Sequence, residues 1–390
     1  MIKNFDFYSP TKIFFGKNRE SEIGEIIRSY GYQKILLVYG QSSIKKMGLY
    51  DQIVTKLKAN QIEFYELSGI EPNPKVDKVR LGVQLAKDYV VDLILAVGGG
   101  SVIDTAKAIA CGRYLDCDPW CLNTHEVKPQ KALPVGVILT ISAAGSELSN
   151  SCVISNEETK IKNGFNSDLI RPIFAVLNPE LTYTVSPYQT ACGIVDSLMH
   201  TLERFLTDVD DLYFEEEVAI GVMKSIVKSA PIVMENPYDY EARAALMLAS
   251  SFSHNGLTGL GGNFYFTVHK LEHELSGRFD HIHHAAGLSI LYGGWAKCVY
   301  DRLPNKFAKF ARDVFNIQEE DKMKCAYLGI IKLEEFFKML NMPTKLVEVG
   351  VSCDDIEVMA NRITKNNTIK VPGFVELDKD LIIKILNLIK

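Results

Sequence analysis

The stretch DLILAVGGGSVIDTAKAIA, residues 92–110, decides how the first half of the chain folds. A short apolar run typical of a buried strand is followed by three glycines and then by a segment with helical spacing. Such a unit presents backbone amides and a helix N-terminus at the carboxyl edge of a sheet, where they can bind a pyrophosphate. A tight turn that needs positive φ explains the glycines equally well without a ligand. The candidate binding residues are Gly98, Gly99, Gly100 and Ser101, and Asp104 with Ser101 is a predicted helix cap.

The same alternation of apolar runs and amphipathic segments surrounds this unit. Strands are predicted at 34–39, 62–67, 92–97 and 135–140, with helices at 44–57 and 76–88, and the first seventeen residues are also predicted to form a strand. Beyond Pro187 the pattern becomes helical, with predicted helices at 189–206, 214–234, 239–253 and 325–340. We therefore predict an α/β nucleotide-binding domain with a parallel sheet over residues 1–187 and an all-α domain over residues 188–390.

Composition narrows the possible functions. The chain has 390 residues, 47% of them hydrophobic, and a net charge of −5, which gives no basic surface for nucleic acid. It contains neither an apolar run long enough to span a membrane nor an export signal. Its eight cysteines form no CxxC pair, which fits reduced thiols in the cytoplasm. Cys117 and Cys121 lie close in sequence, and we interpret them as incidental thiols in a loop.

Residues at the end of the first buried strand bear on the choice of dinucleotide. In dinucleotide-binding folds an acidic side chain near a strand tip usually binds the adenosine ribose and repels a 2′-phosphate. Between Tyr39 and Tyr50 the chain has no carboxylate but has Ser42, Ser43 and two lysines, which favours NADP(H). An ordinary solvated helix start is the alternative interpretation.

Histidines are concentrated in one part of the second half. Six of the eight lie between His254 and His284. Asp196 and His200, four positions apart, share one helical face and can bind one cation, and His269 and His273 repeat this spacing. A single pair of this kind is more often a surface hydrogen bond, but two pairs followed by a histidine cluster favour a metal site.

Motifs spread over the whole chain resemble the iron-containing (group III) alcohol dehydrogenases, and most of all their NADPH-dependent, butanol-dehydrogenase-like branch. They are NFDFYSPTKIFFGK at the start, EPNP at 71–74, GGGSVIDTAK at 98–107, DPW at 118–120, SAAGSE at 142–147, VLNPELTYTVSP at 176–187, and the DxxxH and HxxxH pairs. The resemblance implies a metal-binding helical domain that follows the α/β domain.

The resemblance also assigns residues. It places Asp196, His200 and His269 among four ligands of one divalent metal, Fe(II) or else Zn(II). Gly40 stands where NAD-using relatives have aspartate. The cofactor-binding residues that it implies, together with those proposed above, are Gly40, Ser42, Ser43, Asn73, Gly98, Gly99, Gly100, Ser101, Asp104, Thr140, Ser142 and Lys160.

The fourth ligand is ambiguous. In family members the last histidine usually lies 14 positions after the third ligand, which selects His283, whereas the motif His, small, any, small, Leu selects His284. A loop absorbs an inserted residue easily, but a shift of one position on a helix turns a side chain by roughly 100°. We therefore predict His284, with the insertion in residues 280–283.

The predicted function is a cytoplasmic, metal-dependent, NADPH-linked alcohol dehydrogenase or aldehyde reductase acting on small primary alcohols and aldehydes. His273 is the candidate proton carrier, or alternatively a residue that only orients a ligand. We expect a homodimer without nucleic acid or membrane partners. The alternatives are a diol or lactaldehyde oxidoreductase of the same family, a lyase resembling dehydroquinate synthase, and a scaffold without catalytic activity.

Overall fold

The computed structural model describes every residue from Met1 to Lys390. By its internal contacts the chain divides into two units, an α/β unit of Tyr8–Val185 and a helical unit of Met1–Phe7 with Ser186–Lys390. The change from one unit to the other near residue 186 is close to the predicted division, but the first seven residues pack with the helical unit. The domain limits 1–187 and 188–390 stay a prediction.

The α/β unit is built on a parallel sheet. Six strands lie in the order β1, β8, β5, β4, β2, β3, and β6 pairs with β7 in a separate antiparallel hairpin. In the middle of the sheet, Ala96 of β4 lies opposite Val38 of β2 and Val137 of β5. The strands are β1 (Lys12–Phe15), β2 (Lys34–Tyr39), β3 (Glu63–Leu67), β4 (Leu93–Gly98), β5 (Val135–Leu139), β6 (Ser151–Asn156), β7 (Ile161–Asn166) and β8 (Phe174–Leu177).

Helices connect these strands. They are α1 (Ile23–Ser29), α2 (Ser43–Lys46), α3 (Leu49–Ala59), α4 (Val76–Asp88), α5 (Gly100–Gly112) and α6 (Trp120–Asn123). The single helix predicted over 44–57 is wrong: Gly48, with φ of 76°, divides it into α2 and α3. The left-handed conformation at Gly48 ends one helix and starts the next, as glycine permits.

The order of the strands places the predicted cofactor segments side by side. β5, β4 and β2 are neighbours and run in the same direction, so their carboxyl ends lie along one edge. From β2 the chain continues to β3 on one side and then returns to β4 on the other side, so β2 and β4 flank the point where the strand order reverses. Open α/β sheets bind ligands at the carboxyl ends of the strands beside such a point. The segments that begin at Gly40, Gly99 and Thr140 therefore all start at this edge.

The helical unit contains nine α-helices and no strand. They are α7 (Pro187–Phe205), α8 (Tyr213–Glu235), α9 (Tyr240–Ser253), α10 (Thr267–Arg278), α11 (His284–Val299), α12 (Pro304–Phe315), α13 (Lys322–Met339), α14 (Cys353–Ile363) and α15 (Lys379–Leu388). Its core contains fully buried side chains of α7 and α11, including Leu198 and Tyr292. The predicted fold class, a parallel-sheet α/β domain with an all-α domain, is confirmed.

The amino-terminal segment differs from the prediction of one long strand. Only Lys12–Phe15 is a strand, and it lies at the edge of the parallel sheet beside β8. The backbone amide of Lys3 donates to the carbonyl of Gly261 at 3.0 Å, and its Nζ donates to Asn263 Oδ1 at 2.7 Å. These bonds join the first residues to the loop before α10.

None of the helices combines the length and the apolar character needed to cross a lipid bilayer.

Candidate metal centre and cofactor-binding edge

Helix α7 positions the first two predicted ligands. The hydroxyl of Ser186 accepts a hydrogen bond from the Gln189 amide, and Pro187 occupies the first turn, so capping and proline geometry both favour a helix start here. Asp196 and His200 follow on one face of this helix, and both are buried. Apolar side chains on the rest of the helix pack into the core of the unit.

Three imidazoles converge on one carboxylate oxygen. Oδ1 of Asp196 lies 2.9 Å from Nδ1 of His200, 3.9 Å from Nε2 of His269 and 3.8 Å from Nε2 of His284. Nε2 of His269 also lies 3.3 Å from Nδ1 of His200. The structure therefore brings together the four predicted ligands, which come from three different helices.

The surroundings of this cluster fit a divalent cation. Oδ1 of Asp196 is buried and has no hydrogen bond of suitable geometry, although Nδ1 of His200, which bonds to the backbone oxygen of Asp196, lies 2.9 Å from it. Burial alone would raise the pKa of Asp196, but His200, His284 and His269 outweigh it and hold the pKa at about 2. An ionised carboxylate oxygen together with imidazole nitrogens is the donor set that Fe(II), Zn(II) and Mn(II) sites use.

Glu203 fixes the state of His269. Its carboxylate accepts hydrogen bonds from the backbone amides of Val268 and His269, at 2.8 and 3.2 Å, and from Nδ1 of His269. Burial raises the pKa of Glu203 to about 7, although these amides oppose the rise. Burial also lowers the pKa of His269 well below its ordinary value. His269 is therefore a neutral imidazole that donates from Nδ1 and has its Nε2 lone pair available on the side of Asp196.

Glu272 has the corresponding role at His284. Its side chain is fully buried, and Oε2 accepts from Nδ1 of His284, so Nε2 of His284 is on the side of Asp196. The absence of a side chain at Gly287 provides the room, since a Cβ there would lie 2.7 Å from Cγ of Glu272. Each of two candidate ligands thus has a buried carboxylate behind it.

The neighbouring histidines have other surroundings. His283 precedes α11 and stands edge-on to Tyr188, with ring centroids 5.3 Å apart. His281 is exposed, and its Nε2 bonds to the carbonyl of Val349 at 3.1 Å. His273 is half-buried, with its ring 5.7 Å from that of His284. A ring nitrogen of His273 lies within 4.8 Å of ligand atoms of Glu272 and His284.

His254 lies beside the cluster. Its ring is edge-on to His200, with centroids 4.2 Å apart. Nη2 of the buried Arg204 donates to Nδ1 of His254 at 3.0 Å. Nη1 of Arg204 donates to the carbonyls of His200 and Ser253, both at 3.0 Å. The guanidinium therefore fixes His254 with its proton on Nε2.

Glu203, Glu272 and Arg204 were missed by the reasoning from sequence. Glu203 follows Asp196 by seven positions and His200 by three, so it emerges on the same helical face. Glu272 follows His269 by three positions. This spacing was the available signal, but the histidine that each carboxylate contacts could not be deduced from it.

At the edge of the sheet, Gly98 and Gly99 are needed for close packing, whereas a Cβ at Gly100 would have its nearest contact at 4.0 Å. None of them has positive φ, so the interpretation as a positive-φ turn is wrong. A Cβ at Gly99 would lie 2.3 Å from Cγ2 of Ile141, and one at Gly98 would lie 2.6 Å from Cγ2 of Val102. The backbone here is thus held close to the segment that follows β5, with the N-terminus of α5 immediately after it.

The predicted cap of α5 is also wrong. Gly99 is the residue before the helix, and no side chain caps it. Asp104 instead accepts from the Ser146 hydroxyl at 2.6 Å and from the Val153 amide at 2.9 Å. Its carboxylate therefore holds residues 146–153, while Ser101 lies in the first turn of the helix.

Lys107 fastens the same loop. It is fully buried, and its Nζ donates to the carbonyls of Ser146, Ser149 and Ser151 at 2.7, 2.9 and 2.9 Å. Burial lowers its pKa to about 8, although Asp104 opposes this. The loop after β5, which contains the predicted residue Ser142, is thereby tied to α5.

The end of β2 contains an acidic neighbour that the sequence pattern did not reveal. Gly40 follows the strand, and the exposed Ser42 and Ser43 stand at the start of α2, just before the predicted helix start at residue 44. Nε2 of Gln41 donates to Oε1 of Glu71 at 3.0 Å, which brings a carboxylate to this segment from a distant part of the chain. Lys45 contacts an aromatic ring, with its Nζ 4.7 Å from the ring centroid of Tyr50.

The remaining predicted cofactor residues also belong to the α/β unit. Thr140 follows β5, and its amide donates to the Gly98 carbonyl at 3.1 Å. Asn73 has φ of 52° and accepts from Nζ of Lys162 at 3.2 Å. Lys160, with φ of 55°, lies in the turn between β6 and β7.

Comparison with known proteins agrees with both units. Residues 10–179 match the family described as iron-containing alcohol dehydrogenase, and residues 190–389 match the C-terminal domain of the Fe-containing alcohol dehydrogenase family. The chain belongs to the iron-containing alcohol dehydrogenase family.

Relatives in this alcohol dehydrogenase family match almost the whole chain. NADH-dependent butanol dehydrogenase A of Clostridium acetobutylicum is 43% identical over 93% of this chain and 94% of its own length. The NADPH-dependent aldehyde reductase YqhD of Escherichia coli is 33% identical over 94% of each chain. A crystal structure of NADH-dependent butanol dehydrogenase A from Thermotoga maritima superposes with a TM-score of 0.95 at 36% identity, covering 100% of this chain and 99% of that one.

The chain is therefore an oxidoreductase, a metal-dependent alcohol dehydrogenase or aldehyde reductase. Family membership implies a divalent metal and a nicotinamide dinucleotide. The predicted family, fold and general activity are confirmed. The relatives carry both NADH and NADPH in their names, so these names do not decide which dinucleotide this chain uses.

Proposed function

We propose that this protein is an NADPH-linked reductase of small aldehydes, and in reverse a dehydrogenase of small primary alcohols. Its proposed metal, Fe(II) in preference to Zn(II), is bound by Asp196, His200, His269 and His284. The convergence of three imidazoles on the unbonded, buried Oδ1 of Asp196 is the observation that carries the proposal. A metal there polarises a carbonyl oxygen and lowers the pKa of an alcohol, while a nicotinamide supplies or accepts hydride.

The residues of the chain prepare this chemistry. Asp196 contributes one negative charge that burial does not neutralise, because the imidazoles keep its pKa at about 2. Glu203 and Glu272 hold Nδ1–H of His269 and His284 and so fix the tautomer of each ring. A ring whose tautomer and direction are fixed loses less freedom when it binds a cation.

His273 is the proposed proton carrier for the substrate oxygen. It is half-buried and lies beside His284, but it is not one of the residues grouped around Asp196. A ring nitrogen there can give a proton to an alkoxide or take one from an alcohol, directly or through water. If His273 only orients a ligand, replacing it with glutamine will change metal affinity and leave the pH profile of kcat unaltered.

The preference for NADPH is supported by the end of β2. Gly40 itself carries no carboxylate, the nearby Glu71 is bonded to Gln41, and Ser42 and Ser43 expose hydroxyl groups in the same segment. A Cβ at Gly40 would have its nearest contact, the carbonyl of Ile70, at 3.6 Å, so the backbone here has room for the Cβ of an aspartate. Gly40→Asp is expected to lower kcat/KM for NADPH at least tenfold relative to NADH. An unchanged ratio of the two values contradicts the assignment.

Elemental analysis of the purified protein, followed by NADPH and NADH oxidation with a panel of aldehydes, tests the whole proposal. The expected result is one iron per chain and faster turnover with NADPH on short unbranched aldehydes. Stoichiometric zinc that supports full activity refutes the choice of iron, and faster turnover with NADH refutes that of NADPH. Including diols tests the alternative of a diol oxidoreductase, which the likeness to 1,3-propanediol dehydrogenase of Citrobacter freundii supports at 28% identity.

A further inference from the structure

Cys117 and Cys121 form a close pair in the α/β unit. Sγ of Cys121 donates a hydrogen bond to Sγ of Cys117 at 2.6 Å, so the two sulfur atoms are in direct contact. The two side chains are therefore already directed at each other.

The backbone between the two cysteines is held in a tight turn. The Cys121 amide donates to the Asp118 carbonyl at 3.0 Å, and the Trp120 amide donates to Oδ1 of Asp118 at 2.8 Å. Pro119 fixes its own φ, at −58°, and Nε of Arg80 donates to Oδ2 of Asp118 at 2.8 Å. These contacts keep the two cysteines near each other.

The pair is also accessible to solution. Cys117 is exposed and Cys121 is partly exposed, whereas Cys111, Cys152 and Cys325 are buried. Thiol oxidation follows exposure and thiolate character. A soluble oxidant therefore reaches Cys117 before it reaches these buried thiols.

We propose that Cys117 and Cys121 are a site of reversible oxidation, at which a hydroperoxide converts the two thiols into a disulfide. The Cys117 thiolate attacks hydrogen peroxide and becomes a sulfenic acid, and the sulfur of Cys121 then displaces water from it. Two thiols and one peroxide yield one disulfide and two waters, the sulfurs losing the two electrons that the peroxide gains. A dithiol reverses the reaction by exchange.

The environment of Cys121 assigns the order of these two steps. Burial, and after it the hydrogen bond with Cys117, raises the pKa of Cys121 to about 11. Cys117 has the more exposed sulfur and is therefore oxidised first, and Cys121 loses its proton as its sulfur displaces water from the sulfenic acid. The bond closes a loop of only a few residues, so it removes little entropy from the unfolded chain and acts as a modification rather than a structural support.

The turn is linked to the hairpin of β6 and β7. Asn123 in α6 and Asn163 in β7 exchange side-chain to carbonyl hydrogen bonds at 2.8 and 2.7 Å. Lys162, beside Asn163, donates to Asn73 at 3.2 Å. A bond that tightens the turn before α6 therefore slows the opening of α6 and, through this asparagine pair, of β7.

Peroxide titration of the reduced protein tests the site. After low peroxide and alkylation, peptide mass spectrometry should show that residues 117 and 121 are unalkylated and two hydrogens lighter, with full recovery after dithiothreitol. Cys353→Ser, which removes another exposed cysteine, should behave like the native protein. Cys117→Ser and Cys121→Ser should each prevent the loss of two hydrogens while keeping native turnover under reducing conditions.

Two results overturn the proposal. The first is that Cys117 and Cys121 remain alkylated at a peroxide level that oxidises Cys353. The second is that either serine variant still loses two hydrogens at this peptide. Hydrogen exchange measured on both forms tests the link to the hairpin, with at least threefold slower exchange expected over residues 120–124 and 161–166 after oxidation. Equal exchange rates refute the link.

Discussion

His283 and His284 are adjacent in sequence but have different environments. His284 opens α11 with Nε2 3.8 Å from Asp196, whereas His283 packs against Tyr188. His284→Ala is therefore expected to reduce bound metal at least a hundredfold in apparent affinity, because a four-ligand site loses one ligand. His283→Ala should retain metal within threefold. Elemental analysis after dialysis measures both, and the reverse pattern would place the ligand at His283.

The carboxylate behind His284 gives a second prediction for a single residue. Glu272→Gln keeps the shape of the side chain but removes the charge that holds Nδ1–H of His284. Metal affinity should fall by about 10- to 100-fold, the usual effect of losing such an outer partner. Titration of the metal-free protein with Co(II), followed by its visible spectrum, measures the affinity independently of turnover.

Glu274→Gln is the matched control, since Glu274 lies on the same helix but pairs with Arg362. It should leave the cobalt affinity unchanged. An equal loss in both variants would show that α10 is merely destabilised, and an unaffected Glu272→Gln variant would remove Glu272 from the site.

At the scale of elements, Lys107 connects α5 to the loop that follows β5. Lys107→Met removes the Nζ donor from the carbonyls of Ser149 and Ser151, while the Ser146 carbonyl keeps the backbone amide of Ser149 as a donor. An unpartnered buried polar group costs about 1–3 kcal/mol. Removing the buried ammonium group of Lys107 is itself favourable and offsets part of this cost. We expect the free energy of unfolding to fall by about 3 kcal/mol in urea denaturation. A change below about 1 kcal/mol would mean that water replaces the amine.

The pH dependence of stability provides a check on the same residue. Burial lowers the pKa of Lys107 from 10.5 to about 8 in the folded chain, so between these values the unfolded chain binds more protons. The contribution of Lys107 to the free energy of unfolding must therefore rise with pH across this window, by up to about 3 kcal/mol. The difference between the native protein and Lys107→Met should widen from pH 8 to pH 10.5.

Elements with a clear local signal could be predicted from the sequence. β2 and α4 begin and end where the apolar pattern predicted, because burial alone determines them. The break at Gly48 and the true partners of Asp104 were missed, since both depend on a backbone conformation or on contacts with distant residues. Glu71 illustrates the same limit, for it reaches the end of β2 from 30 positions further along the chain.

At the scale of the whole molecule, the proposed metal joins three helices of the helical unit. Asp196, His269 and His284 come from α7, α10 and α11, so removal of the metal takes away a cross-link that exists only in the folded state. At a free metal concentration one hundred times the Kd, binding adds about 2.7 kcal/mol to stability.

Calorimetry with and without a chelator measures this effect. The melting temperature of the native protein should fall by about 5–10 °C when metal is removed. Asp196→Asn, which lacks the carboxylate ligand, should melt at the same temperature with and without chelator. If the native protein melts at the same temperature with and without chelator, the metal makes no structural contribution.

The bonds of Lys3 with Gly261 and Asn263 affect the order of events during synthesis. The partners of Lys3 leave the ribosome 260 residues after it, a delay of roughly 13 to 52 seconds at about 5–20 residues per second. Within that interval the whole segment Tyr8–Val185 has emerged and can acquire its sheet. Lys3 is thus made well before its partners and stays without them until the loop before α10 has been made.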